Sequence, residues 1–149
     1  MARKEGGAAV RYLYIALGGA LGALARWGLF LWILPRAAFP VGVLVVNLSG
    51  CLLLGFLFPY TLETELDADL RLGIVTGFLG AYTTFSTWEA GVHALSAGGR
   101  WPLAGAYLAA SLAGGVLCTL CGMALARRLS AGPEAESTAG DRVAEEGSP

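Results

Sequence analysis

Residues 83–88 read Thr-Thr-Phe-Ser-Thr-Trp, so four aliphatic hydroxyls and two large rings fall within six consecutive positions. They follow Gly77 and Gly80 and lie within an apolar stretch long enough to cross a membrane. A helix facing acyl chains has no use for such hydroxyls, because lipid offers them no partners. An interrupted helix does have a use for them. Glycine accepts irregular dihedrals and threonine is a modest helix former. A hydroxyl donates one proton, and an aromatic ring is positive at its edge. Together they can replace water around an ion, and carbonyls freed at membrane depth can bind cations or line a cavity. The chemistry is that of an ion pathway. The competing reading is a continuous helix merely weakened by glycine.

Other polar residues lie at similar depth in the predicted spans. Asn47 carries an amide that lipid cannot satisfy, so it either coordinates an ion or anchors the interruption. Arg26 is the one cation deep within a span, which makes it a functional candidate that snorkels to an interface or draws anions into a vestibule. Ser111 offers a single hydroxyl, unless it bonds back to its own helix. Phe85 and Trp88 are three apart and share a face if helix resumes there. Glu89 and His93, four apart, read as a solvated rim pair. Cys118 and Cys121 form a C-x-x-C on a helix, read as small packing residues. No carboxylate stands in the middle of any span, which argues against proton-coupled cation export. With one histidine in the chain, hydrolytic or metal chemistry has little to work with, and the chain is not expected to be an enzyme.

The elements that must position these groups are helices. Of 149 residues, 56% are hydrophobic and 14% charged, against about 25% charged in a soluble domain. Four apolar spans emerge, Tyr12–Leu34, Val41–Tyr60, Leu72–Leu95 and Pro102–Ala126, each near the ~20 residues that cross a bilayer. The chain reads as an all-α membrane protein. Residues 1–11 form an N-terminal tail, 12–129 the four-helix domain, and 130–149 a disordered acidic tail. Short links make sequential helices antiparallel neighbours. Gly18 with Gly22, Gly73 with Gly77, Ala110 with Gly114, and Ser111 with Gly115 are spaced four apart, as close helix contacts require. Arg3, Lys4, Arg11, Arg71, Arg127 and Arg128 fall on one side against Arg36 and Arg100 on the other. That bias places both termini in the cytoplasm. No basic surface suggests nucleic acid. Four helices fill their own centre, so polar stripes on so small a protein should meet a second copy.

Taken together, these motifs resemble the Fluc (CrcB) family of fluoride ion channels. The resemblance runs from Tyr12 to Leu129. It rests on Gly18-Gly19-Ala20-Leu21-Gly22-Ala23 with Arg26, on Val46-Asn47 with Gly50 and Gly55, and above all on Gly77-Phe78-Leu79-Gly80 with Thr83-Thr84-Phe85-Ser86-Thr87. It implies a third helix broken mid-membrane and an antiparallel dual-topology dimer with two narrow pores along the subunit interface. Asn47, Phe85, Trp88, Thr84, Thr87 and Ser111 would line the fluoride pore, and Arg26 its vestibule. Backbone carbonyls of Gly80 and Thr83 from both subunits would hold a structural Na+ ion at the dimer interface. Three positions depart from the family pattern. Trp88 stands where Phe is usual, adding an N–H donor; Gly91 stands where many members have Glu; Val43 stands where many have Thr.

The expected function is passive export of fluoride across a bacterial or archaeal plasma membrane, relieving cytoplasmic toxicity. The expected assembly is a homodimer. The charge bias leaves as an alternative a heterodimer with an oppositely oriented paralogue. Two other classes compete: a small multidrug-type dimeric exporter, which needs an acid in its first span, and a non-transporting membrane assembly protein, which needs no hydroxyl run.

Overall fold

The computed structural model describes residues 3–33, 39–64 and 66–130. The expected acidic tail beyond Ser130 and most of the first link lie outside the described residues. Among the described residues every element is helical: α1 (Arg3–Ile33), α2 (Val41–Glu63), α3 (Ala68–Leu72), a π-helical stretch (Gly73–Leu79), α4 (Gly80–Tyr82), α5 (Ser86–Ala97) and α6 (Trp101–Ser130). α1 begins at Arg3, so the stretch expected as a tail continues the helix of the first span.

Three of these helices, α1, α2 and α6, are long and apolar enough to cross a membrane. The segment expected as the remaining span is instead a chain of short pieces. Asp67 starts it, its carboxylate accepting from the Asp69 and Leu70 amides at 3.0 Å, an N-cap of the usual kind. The π-helical turns follow, and α4 ends where Thr83 turns extended (φ −76°, ψ 158°). Helix resumes at Ser86. Hydroxyls compete with the backbone at this point: Thr83 Oγ1 donates back to the Leu79 carbonyl at 2.9 Å.

Packing departs from the expectation of sequential neighbours. The intimate pairs are α1 with the π-helical stretch, and α2 with α6. Glycine decides both. A Cβ on Gly18 would collide with the Gly73 carbonyl, and one on Gly22 with the Phe78 carbonyl. Gly77 in turn lies against the backbone of Ile15 and Gly19. Across the other pair, Gly55 meets the Thr119 carbonyl and Gly122 the Leu52 carbonyl. Backbones this close gain van der Waals packing, a main source of helix affinity where lipid is as apolar as leucine. The smaller core joins α5 to α6 and α2, with Leu95, Ala104 and Tyr107 buried and Phe39, Leu44, Trp88 and Val92 packed on them. Elsewhere large apolar side chains of α1 and α6 stay exposed, among them Leu21, Trp32, Val116 and Leu120, as surfaces meant for lipid or another chain would be.

Candidate functional site

The break at 83–85 is held from three sides. Asn47, on α2, meets Thr84 with both ends of its amide. Its Nδ2 donates to the Thr84 carbonyl at 2.9 Å, and its Oδ1 accepts from the Thr84 N–H at 2.9 Å. A side-chain amide has the same donor–acceptor pair as a backbone unit, so Asn47 replaces the helix bonds that Thr84 has lost. Gly50, one turn further along α2, lets Thr83 approach; a Cβ there would collide with Thr83 Cγ2. From α1, Arg26 Nη1 donates to the Thr83 carbonyl at 3.3 Å.

Within the break, Thr84 Oγ1 accepts from the Thr87 N–H at 3.3 Å and donates to Thr87 Oγ1 at 3.0 Å. It thus restarts the helix in the manner of a capping hydroxyl. Nearby, Ser49 Oγ and the Tyr82 hydroxyl pair at 2.8 Å, tying α4 to α2.

A cavity of about 340 Å³ opens beside the break, lined by Asn47, Gly50, Cys51, Thr83, Thr84, Phe85, Trp88 and Ser111 with Leu54 and Leu112. Of the residues expected to line a pore, Asn47, Thr84, Phe85, Trp88 and Ser111 therefore meet around one space. Thr87 sits behind Thr84 rather than on the wall. Arg26 lies on the α1 side of the break, away from the cavity lining. Ser111 Oγ donates to the Tyr107 carbonyl of its own helix at 2.7 Å, the back-bond weighed above as the alternative to a pore role. No Asp, Glu or Lys lines it.

Phe85 is 76% exposed, so within one chain the ring is covered on one side only. Its centroid lies 5.3 Å from that of Trp88, and Trp88 lies 6.3 Å from Tyr107. Among the described residues, Trp88 Nε1 and the Tyr107 hydroxyl are buried without a hydrogen-bond partner, an arrangement that usually has a functional or solvent explanation. Gly91 makes room for this corner: a Cβ there would sit 3.1 Å from Pro40 Cγ and 3.3 Å from Tyr107 Cε1. Tyr107, beside Trp88, is the neighbour that sequence reasoning passed over; its signal was helical spacing, four before Ser111.

The Gly80 and Thr83 carbonyls can be tested as cation ligands. The N–H that would close onto Gly80 in a continuous helix, that of Thr84, is spent on Asn47. The N–H that would close onto Thr83, that of Thr87, is spent on Thr84 Oγ1. Both carbonyls lose their helical donors, and one side of the Thr83 carbonyl is taken by the Arg26 guanidinium. Neutral carbonyls released by an unwound helix suit a sodium-sized ion, so the donor set fits.

Comparison with known proteins follows the same residues. Residues 13–123 match the model of a family described as CrcB-like protein, Camphor Resistance (CrcB). The chain is 48% identical over 119 residues to the fluoride-specific ion channel FluC 1 of Moorella thermoacetica, covering 78% of this chain and 85% of that protein. It is 42% identical over 125 residues to FluC of Acidobacterium capsulatum, covering 82% of this chain and all of that protein. It is 45% identical over 117 residues to FluC 2 of Symbiobacterium thermophilum, covering 76% and 95%.

Proposed function

The chain belongs to the CrcB family, and from that premise we infer that it is a fluoride-specific ion channel, a multi-pass membrane protein and not an enzyme. It conducts passively. Hydrogen fluoride enters a cell neutral and ionises at cytoplasmic pH, and the channel lets the trapped anion run out across the plasma membrane of a bacterium or archaeon.

The observation that carries this reading is the convergence of Asn47, Thr84, Phe85, Trp88 and Ser111 on one cavity beside an interrupted helix. Fluoride is small and strongly hydrated, so a narrow pore must return what water gave. The ring edge of Phe85 presents partial positive charge. The hydroxyls of Thr84 and Ser111 can turn from their resting acceptors, Thr87 Oγ1 and the Tyr107 carbonyl, to donate to the ion. Asn47 holds the wall and has a second amide proton free for the same purpose. Trp88 adds ring surface and an N–H, and Thr87 Oγ1 accepts the Thr84 hydrogen bond when no ion is present. Arg26 would raise anion concentration in a vestibule.

The exposure of Phe85 and of the apolar faces of α1 and α6 favours a dimer, since a pore wall open on one side needs a second copy to close it. The dimer we favour is an antiparallel homodimer in the bilayer, its third helices broken mid-membrane, with a heterodimer of opposed paralogues as the alternative. Gly80 and Thr83 carbonyls from both subunits would hold a sodium ion there, supplying positive charge that binds the two breaks together.

Fluoride-electrode efflux from reconstituted vesicles tests the reading. Wild-type protein should release fluoride and retain chloride. Phe85→Ala should keep its size-exclusion profile and lose about a hundredfold in flux, the effect of one charge-directed interaction of up to ~3 kcal/mol. Full flux in the variant removes Phe85 from the pore.

A further inference from the structure

Arg26 occupies a position that a vestibule role alone does not explain. Gly18, Gly22 and Arg26 are spaced by four and share one face of α1. The two glycines are pressed onto the π-helical stretch, so the third member of the row is carried to the break. There its guanidinium meets the Thr83 carbonyl, which has been turned out of the helix by ψ 158° and whose helical donor is spent elsewhere. At 3.3 Å the contact is at the loose end of N–H···O distances. A carbonyl with two lone pairs held by one long bond can be taken over by a better cation.

We propose that Arg26 and a bound sodium ion compete for the Thr83 carbonyl, so that sodium binding releases the guanidinium toward the anion vestibule. This rests on the sodium reading given above and deepens it. In the sodium-free protein Arg26 acts as a positioning residue that keeps the break folded. In the sodium-bound protein two cations cannot share one oxygen without repulsion, and the arginine, relieved of its carbonyl, becomes the charge that gathers fluoride. Cation occupancy and anion entry are thereby coupled through one side chain.

Binding of ²²Na⁺ to the detergent-solubilised full chain tests this, with choline chloride holding ionic strength constant. Arg26→Gln should bind sodium with a midpoint five- to a hundredfold below wild type, the usual span of a coupling between two ligands. Arg26→Lys, which keeps the charge, should stay near wild type. An equal or higher midpoint in Arg26→Gln overturns the competition while leaving the sodium site standing. No sodium bound by wild type or by either variant overturns the sodium reading and this proposal with it. Should Arg26→Gln fail to fold, side-chain NMR of ¹⁵N-arginine-labelled wild type decides. The Arg26 Nε signal should move as sodium replaces choline, and a signal unmoved at saturating sodium overturns the proposal.

Discussion

Asn47 shows how one side chain can make a broken helix affordable. Its amide satisfies both backbone groups of Thr84, and leaving either unpaired would cost about 1–3 kcal/mol. Of the two roles open to Asn47, ion coordination and anchoring of the break, these two bonds are of the anchoring kind. Gly50 matters for a different reason. It faces a β-branched methyl that cannot swing aside. Gly50→Ala should therefore displace Thr83 and lower fluoride flux about tenfold, roughly 1.4 kcal/mol in the barrier. Thr83→Ser removes the obstructing methyl and keeps the hydroxyl that donates to Leu79. The double variant should recover much of the lost flux, and a double variant no better than Gly50→Ala would show that the two residues do not act through this contact. The Trp88 N–H is buried and has no partner among the described residues.

At the level of elements, helix pairing is decided by which glycines find each other. α1 could have rested on α2, its neighbour in sequence. It rests on the π-helical stretch because Gly18 and Gly22 oppose Gly73 and Phe78 with no side chain between. The extra residue per turn of a π-helix is a common device at functional sites, and here it precedes the break by one short helix. Gly22→Val should force the pair apart and abolish both flux and the monodisperse peak on size exclusion. Gly28→Ala, on the same helix with open space at its Cβ position, should leave fold and flux intact, with up to ~1 kcal/mol gained in helix propensity. Equal tolerance of both substitutions would mean that the glycine ridge does not hold α1 in place. Spacing alone marked Gly18, Gly22, Gly73 and Gly77 as contact residues. It could not show that Gly55 and Gly122 join α2 to α6, because in a chain with 22 glycines the partner of each is a three-dimensional fact.

For the whole molecule, surface charge bears on which way each copy faces. The Arg11–Asp69 ion pair, at 2.8 Å and exposed, ties α1 to α3 and contributes little, as surface pairs do. Orientation turns instead on the six-to-two excess of Lys and Arg, which acidic partners barely alter. Expressed alone, with Cys51, Cys118 and Cys121 replaced and Ser148→Cys added, the chain should react with an impermeant maleimide at about half its copies in sealed vesicles, as two opposed orientations require. Labelling of all copies or none would favour the paired heterodimer. Much of the protein was legible before any coordinates. Apolar run lengths marked α1, α2 and α6 as membrane helices, because crossing hydrocarbon sets a minimum length; they did not show that the run at Leu72–Leu95 is a chain of short pieces. Of the hydroxyls and rings at 83–88, Thr83, Thr84, Phe85 and Trp88 do line the cavity, while Ser86 and Thr87 do not. Tertiary structure alone decided that α1 pairs with the π-helical stretch, that Asn47 spends its amide on Thr84, and that Arg26 reaches a carbonyl rather than the cavity. Those outcomes turn on which backbone groups come within hydrogen-bond reach once glycine faces have docked, and one-dimensional spacing carries no record of that distance.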